Sequence, residues 1–141
     1  MTYKFYDTCS LLLNTNHLFD NPNERTVISS ITLQELEDIK TSSHKDLSTK
    51  FLARQLIRAL NEHKGEYDLH IYRPIMLDKL CKYTEFFEVN NDLKILATAF
   101  DYDYYKHPDE TVFVTNDLVL KNIANLFFGE DSIISVQEEQ E

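Results

Sequence analysis

A chain of 141 residues with 43% hydrophobic side chains can bury one core and is too apolar to be disordered. Its net charge of -10, from 24 acids against 14 lysines and arginines, excludes a broad basic face for nucleic acid, though not a site that takes up cations first. No apolar run reaches the roughly 18 residues of a membrane span, and the start of the chain lacks a signal-peptide pattern, so Cys9 and Cys81 are expected as reduced, core or near-core thiols of a cytoplasmic protein.

In chain order, residues 3–7 read as a strand of large apolar side chains that ends in Asp7. A short helix is expected from about Ser10 to Asn14, then a polar loop over 15–25 and a β-branched strand over 26–30. Residues 31–40 turn helical. After the break at 41–44 a long helix is expected over 46–64, capped by Gly65, with Phe51, Leu52, Leu56, Ile57, Ala59 and Leu60 as its apolar set. Residues 68–72 alternate as an edge strand, and 76–83 suit one more short helix. Asn90-Asn91-Asp92 opens a helix over 93–100, followed by an aromatic and acidic linker over 101–110, within which 101–105 reads as a solvated loop with anchoring tyrosines in preference to a base-stacking surface. Residues 111–115 are the most convincing buried strand. A helix over 118–128, stopped by Gly129, and a strand over 132–136 complete one domain (1–136), with a frayed acidic tail at 137–141. Strands alternating with helices predict an α/β fold with a mostly parallel sheet.

Asp7, Glu35, Asp92 and Asp117 all fall at or near helix starts, and each has a structural reading. Thr32-x-x-Glu35 has the capping-box spacing. Asp7, Asp92 and Asp117 suit caps or the positive ends of helix dipoles, worth about 0.3–1 kcal/mol each. Their joint pattern points further. Asp7 and Asp117 both follow β-type runs, so parallel strands would deliver them to one sheet edge, the edge where open α/β sheets place their chemistry. Two unit charges near 4 Å repel by about 4 kcal/mol at an effective dielectric of 20. Gathered carboxylates therefore imply a bound cation, and all-oxygen ligands select Mg²⁺ or Mn²⁺. The five histidines lack close metal-binding spacing.

The segments Tyr6-Asp7-Thr8-Cys9-Ser10-Leu11-Leu12, Leu33-Gln34-Glu35-Leu36-Glu37, Asn91-Asp92-Leu93-Lys94-Ile95-Leu96-Ala97-Thr98-Ala99 and Phe113-Val114-Thr115-Asn116-Asp117 resemble a PIN domain over nearly the whole chain. The likeness is to PIN modules fused to PhoH-type ATPases and to stand-alone PIN nucleases, including VapC-type toxins. It implies a three-layer α/β/α fold with an acidic pocket at the carboxyl ends of the strands. It also implies a ribonuclease dependent on Mg²⁺ or Mn²⁺, with Asp7, Glu35, Asp92 and Asp117 as its ligands. Thr115, Ser10, Asn91 and Asn116 would support those carboxylates, and Lys40, Arg54, Arg58 and Lys121 are the cations considered for substrate phosphate. An RNA substrate, a homodimer, and an inhibitory or ATPase protein partner are the associations implied. Cys9 stands where the family usually has Asn or Ser. The competing readings are a non-catalytic PIN module that binds RNA or protein, and a phospho-receiver. The receiver would want an adjacent acid pair after the first strand, where this chain has Asp-Thr.

Overall fold

The structure, a computed structural model, describes residues 1–82, 89–129 and 132–134. Its strands are β1 (Thr2–Tyr6), β2 (Glu24–Ser29), β3 (Tyr67–His70), β4 (Thr111–Val114) and β5 (Ile133–Ile134). Its helices are α1 (Thr8–Leu13), α2 (Ser30–Thr41), α3 (Leu47–Glu62), α4 (Pro74–Cys81), α5 (Asn91–Tyr105) and α6 (Leu118–Ala124). The strands form one sheet in the order β3-β2-β1-β4-β5, and every pairing in it is parallel. The order runs outward in both directions from β1 and β4, so the topological switch point lies between these two strands.

Alternation along the central strands makes two cores, because successive side chains leave opposite faces of a strand. Phe5, Val27 and Phe113 face α4, α5 and α6, where they meet Leu80, Ile95, Leu96, Ala99 and Ile123. Their neighbours Tyr6, Ile28 and Val114 face α1, α2 and α3, where they meet Leu11, Leu36, Leu56 and Leu60. The result is the expected three-layer α/β/α arrangement, and strands buried on both sides explain the nearly continuous apolar runs.

Several expected boundaries shift for identifiable reasons. Asp46 caps α3 by accepting from the Thr49 N–H at 2.7 Å, and His63, not Gly65, is its C-cap. Gly65 instead takes φ +84° in the turn that follows. Within α3, Ala53, Leu56 and Leu60 are buried, whereas Phe51 is 58% exposed and stands outside the apolar face. α6 ends at Ala124, short of the expected residue 128, although Phe128 still packs in the core.

The largest correction concerns 101–110. Its first half is not a loop: α5 continues to Tyr105, with Asp101 and Tyr102 buried, and only 106–110 remain a mostly exposed turn. Asp101 accepts from His70 Nε2 at 2.9 Å and from the Arg73 guanidinium, while the Tyr102 hydroxyl donates to Asp68 at 2.6 Å. These bonds pin α5 to the β3 edge of the sheet and to the start of α4. The end of the expected helix at residue 83, the strand positions 135–136 and the acidic tail 137–141 lie outside the described residues. Among the described residues no helix is long and apolar enough to cross a membrane.

Candidate active site

Asp7 occupies the position just after β1, at the switch point, and is 4% exposed. Its N–H donates to the Val114 carbonyl at 3.1 Å, which extends the β1–β4 ladder by one step. Its Oδ1 accepts from the Ser10 N–H at 2.8 Å, and its Oδ2 accepts from the Thr115 hydroxyl. Asp7 is therefore a helix cap and a strand-end acid at once. Both roles aim the carboxylate at the carboxyl edge of the sheet.

Asp117 caps α6, with Oδ1 accepting from the N–H groups of Val119 at 2.9 Å and Leu120 at 3.1 Å. Its own N–H donates to Thr115 Oγ1 at 3.0 Å. Thr115 is fully buried, and it links the two acids by donating to one and accepting from the other.

Glu35 does not complete a capping box. Ser29, at the end of β2, is the N-cap of α2 and accepts from the Ile31 N–H at 3.1 Å. The helix thus begins before Thr32, and Glu35 lies a turn too far in to reach the N-cap amide. Its side chain points instead toward α1, where Oε1 accepts from the Thr8 hydroxyl at 2.7 Å. Thr8 also shares a 3.1 Å hydrogen bond with Thr32. Asp92 likewise leaves capping to a neighbour: Asn90 accepts from the Leu93 N–H at 2.9 Å, and Asp92 follows in the first turn of α5.

All four acids line one cavity of ≈ 380 Å³, together with Asn91, Asn116 and Cys9. Burial raises the Asp92 pKa above its ordinary value, and the charges of Glu35, Asp7 and Asp117 raise it further. Asp92 therefore sits in the anionic field of the other three carboxylates. Because the folded protein holds the Asp92 proton more tightly than the unfolded chain, ionised Asp92 weakens folding increasingly as pH rises through and above the ordinary carboxylate range. We expect Asp92→Asn to raise the melting temperature of the cation-free protein at pH 7.5. After solvent screening the gain should be about 1 kcal/mol, or roughly 2–4 °C for a chain of this length. Thermal scans from pH 7.5 to pH 4 check the sign, since the gain must shrink as the pH falls.

The donor chemistry suits a hard divalent ion, because every candidate ligand is a carboxylate oxygen. As placed, however, no three of the described His, Cys, Asp or Glu side chains form a ready chelate.

The supporting residues divide. Thr115 joins Asp7 to Asp117, and Asn91 and Asn116 line the cavity. Ser10 contributes its backbone N–H; its side-chain hydroxyl is wholly buried and has no hydrogen-bond partner among the described residues. It does not replace the polar side chain expected at Cys9. Cys9 itself is exposed and lines the cavity, contrary to the expectation of a core or near-core thiol. Although the residue is exposed, partial desolvation of its thiol at the cavity wall, then the charges of Asp7, Asp92 and Glu35, push its pKa up.

The four cations considered for phosphate contact lie outside the cavity lining. Lys40 pairs with Glu37 at 3.1 Å, Arg54 and Arg58 are exposed on α3, and Lys121 sits in the last turn of α6. The lining instead includes Lys45 and the further acid Asp38. Neither Lys45 nor Thr8 is among the site residues expected from the sequence. Thr8 carried a signal, a hydroxyl directly after the strand-end acid. Lys45 carried none, since its place depends on how the 42–46 loop returns past α1.

Comparison with known proteins agrees with this geometry. A family model described as PIN domain matches residues 5–127, which takes in all four acids. No curated protein sequence matches the chain. Among solved structures, a VapBC2 complex from Rickettsia felis, bound to a DNA fragment from its promoter, includes a chain that superposes with a TM-score of 0.56. The identity is 18%, over 96% of this chain and 97% of that one. At that identity the likeness speaks for the fold alone. The family match spans most of the sequence, and the parallel sheet brings strand-end and helix-start acids to one edge: the chain belongs to the PIN domain family.

Proposed function

We propose that this protein is a divalent-metal-dependent endoribonuclease that hydrolyses phosphodiester bonds of single-stranded RNA. The observation that carries the reading is the meeting of Asp7, Glu35, Asp92 and Asp117, from four separate elements, in one cavity at the switch point of the sheet. These carboxylates would hold Mg²⁺ or Mn²⁺. Bound there, the ions would lower the pKa of an attacking water and offset the charge that builds up at phosphorus. The chain's own part is positional. The Ser10 N–H and the Thr115 hydroxyl hold Asp7, the α6 amides hold Asp117, and Thr8 restrains Glu35. A cytoplasmic enzyme that self-associates or accepts an inhibitory protein is consistent with exposed apolar side chains such as Leu47 and Leu118, which are 82% and 75% exposed. The deciding assay is Mn²⁺-dependent cleavage of an unstructured RNA with a chelator control; wild-type protein that leaves the RNA intact at every Mn²⁺ concentration refutes the reading.

Among the described residues no three ligating side chains stand as a ready chelate, which favours one second reading, a PIN module that binds a partner without catalysis. Mn²⁺ titration separates the two. A ligand that binds only the folded state at a hundred times its Kd stabilises by about 2.7 kcal/mol, roughly 5–11 °C here. The nuclease reading expects that rise, and expects it to vanish in Asp92→Asn. A flat melting temperature across the titration favours the binding module.

A further inference from the structure

Five carboxylates line the cavity, those of Asp7, Glu35, Asp38, Asp92 and Asp117, and among the described residues one cation joins them, Lys45. We propose that Lys45 grips the substrate's backbone at the mouth of this cavity, donating to a non-bridging oxygen of the phosphate next to the one that is cut. The proposal rests on the ribonuclease reading and assigns that site its phosphate contact.

Lys45 lies in the loop between α2, which carries Glu35 and Asp38, and α3. It is exposed, and among the described residues it has no ion-pair or hydrogen-bond partner. Other lysines are engaged by carboxylates: Lys40 with Glu37 at 3.1 Å and Lys4 with Glu24 at 2.9 Å. An ammonium beside five carboxylates, yet bonded to none of them, has its donors available. Once divalent ions neutralise the carboxylates, the strongest remaining acceptor near it is an incoming phosphate. A chain of net charge -10 repels RNA over most of its surface, so a local cation at the entrance has a large relative effect. Lysine acts as a point charge on a flexible stem. The contact is therefore with backbone and carries no base preference.

The test compares wild type with Lys45→Ala, Lys45→Arg and the charge-matched control Lys64→Ala, whose exposed side chain lies outside the cavity lining. Binding of unstructured ten-nucleotide RNAs of differing sequence is measured with Ca²⁺ across a salt series, and kcat and KM are measured with Mn²⁺. Lys45→Ala should bind about tenfold more weakly, and its log-log salt slope should be shallower by about 0.7. The loss should be equal for every sequence, appear in KM with kcat within about twofold, and be recovered by Lys45→Arg. Lys64→Ala should match wild type. If wild type binds RNA and Lys45→Ala keeps the same affinity and slope, the proposal is overturned while the nuclease reading stands. A loss confined to kcat also overturns it, because Lys45 would then act on the transition state. If wild type binds RNA without cutting it and Lys45→Ala still weakens binding, the contact stands and the nuclease reading falls. Wild type that neither binds nor cuts RNA sinks both.

Discussion

Asp7→Asn should reduce Mn²⁺-dependent RNA cleavage at least a hundredfold while moving the melting temperature of the cation-free protein by no more than a few degrees. The two halves have separate causes. Asparagine caps a helix about as well as aspartate does, so the bond from the Ser10 N–H to this position survives and α1 keeps its start. The single amide oxygen serves the Ser10 N–H, so the amide NH₂ faces Thr115 Oγ1 and donates to it; the link across to Asp117 is kept by a turned Thr115 hydroxyl, at a modest cost in stability. What disappears is the negative charge that would bind a hard cation. Changing residues that merely support metal ligands costs roughly 10–100-fold, and loss of a ligand should cost at least the upper end of that range. Cleavage kinetics and thermal scans on the same preparations check both halves. A variant that cuts RNA as wild type does removes Asp7 from the catalytic set. A variant that unfolds shows Asp7 to be mainly structural.

Arg73→Ala should lower the melting temperature by several degrees at pH 7, with no direct effect on the acidic cavity. Asp101 is 1% exposed, and two side chains satisfy it, His70 and Arg73. Burial alone would raise its pKa. The hydrogen bonds and charges of Arg73 and His70 outweigh burial and hold the carboxyl below the usual range. Without Arg73 a buried carboxylate keeps only the histidine as partner, and stranding a buried charge is the costly way to break such a pair. The sign with pH follows from which state protonates first. Because the unfolded chain takes up the Asp101 proton at higher pH than the folded protein does, the stabilisation is fully present above the ordinary carboxylate range. It drains away as the pH falls below that range, through the depressed folded pKa. The gap between wild type and variant should therefore be widest near neutrality and narrow toward pH 3. Urea unfolding at several pH values measures it; a pH-independent gap would mean that Arg73 acts through packing, including its contact over the Tyr105 ring.

The amino-acid sequence by itself determined the alternation of strands and helices, the burial of residues 111–114 on both sides, and the identity of the four acids. These are local signals. β-branched and aromatic runs mark strands whatever lies beside them, and an acid directly after such a run must emerge at the strand's end. Local reasoning failed where a side chain's partner is distant in sequence. Asp101 and Tyr102 look like loop residues until His70, Arg73 and Asp68 arrive from 28 to 34 positions away and let them be buried within α5. Thr32 looks like a helix start because its spacing to Glu35 is right, but Ser29 caps first, and Thr32 bonds to Thr8 from another element. The tertiary structure alone decided that Glu35 faces α1, and that Lys45 stands at the cavity while Lys40, Arg54, Arg58 and Lys121 do not. The physical reason is common to these cases. The energies of caps and periodic apolar faces are set within a few residues, whereas the placement of a charge depends on which other charges and amides the packed layers bring to it.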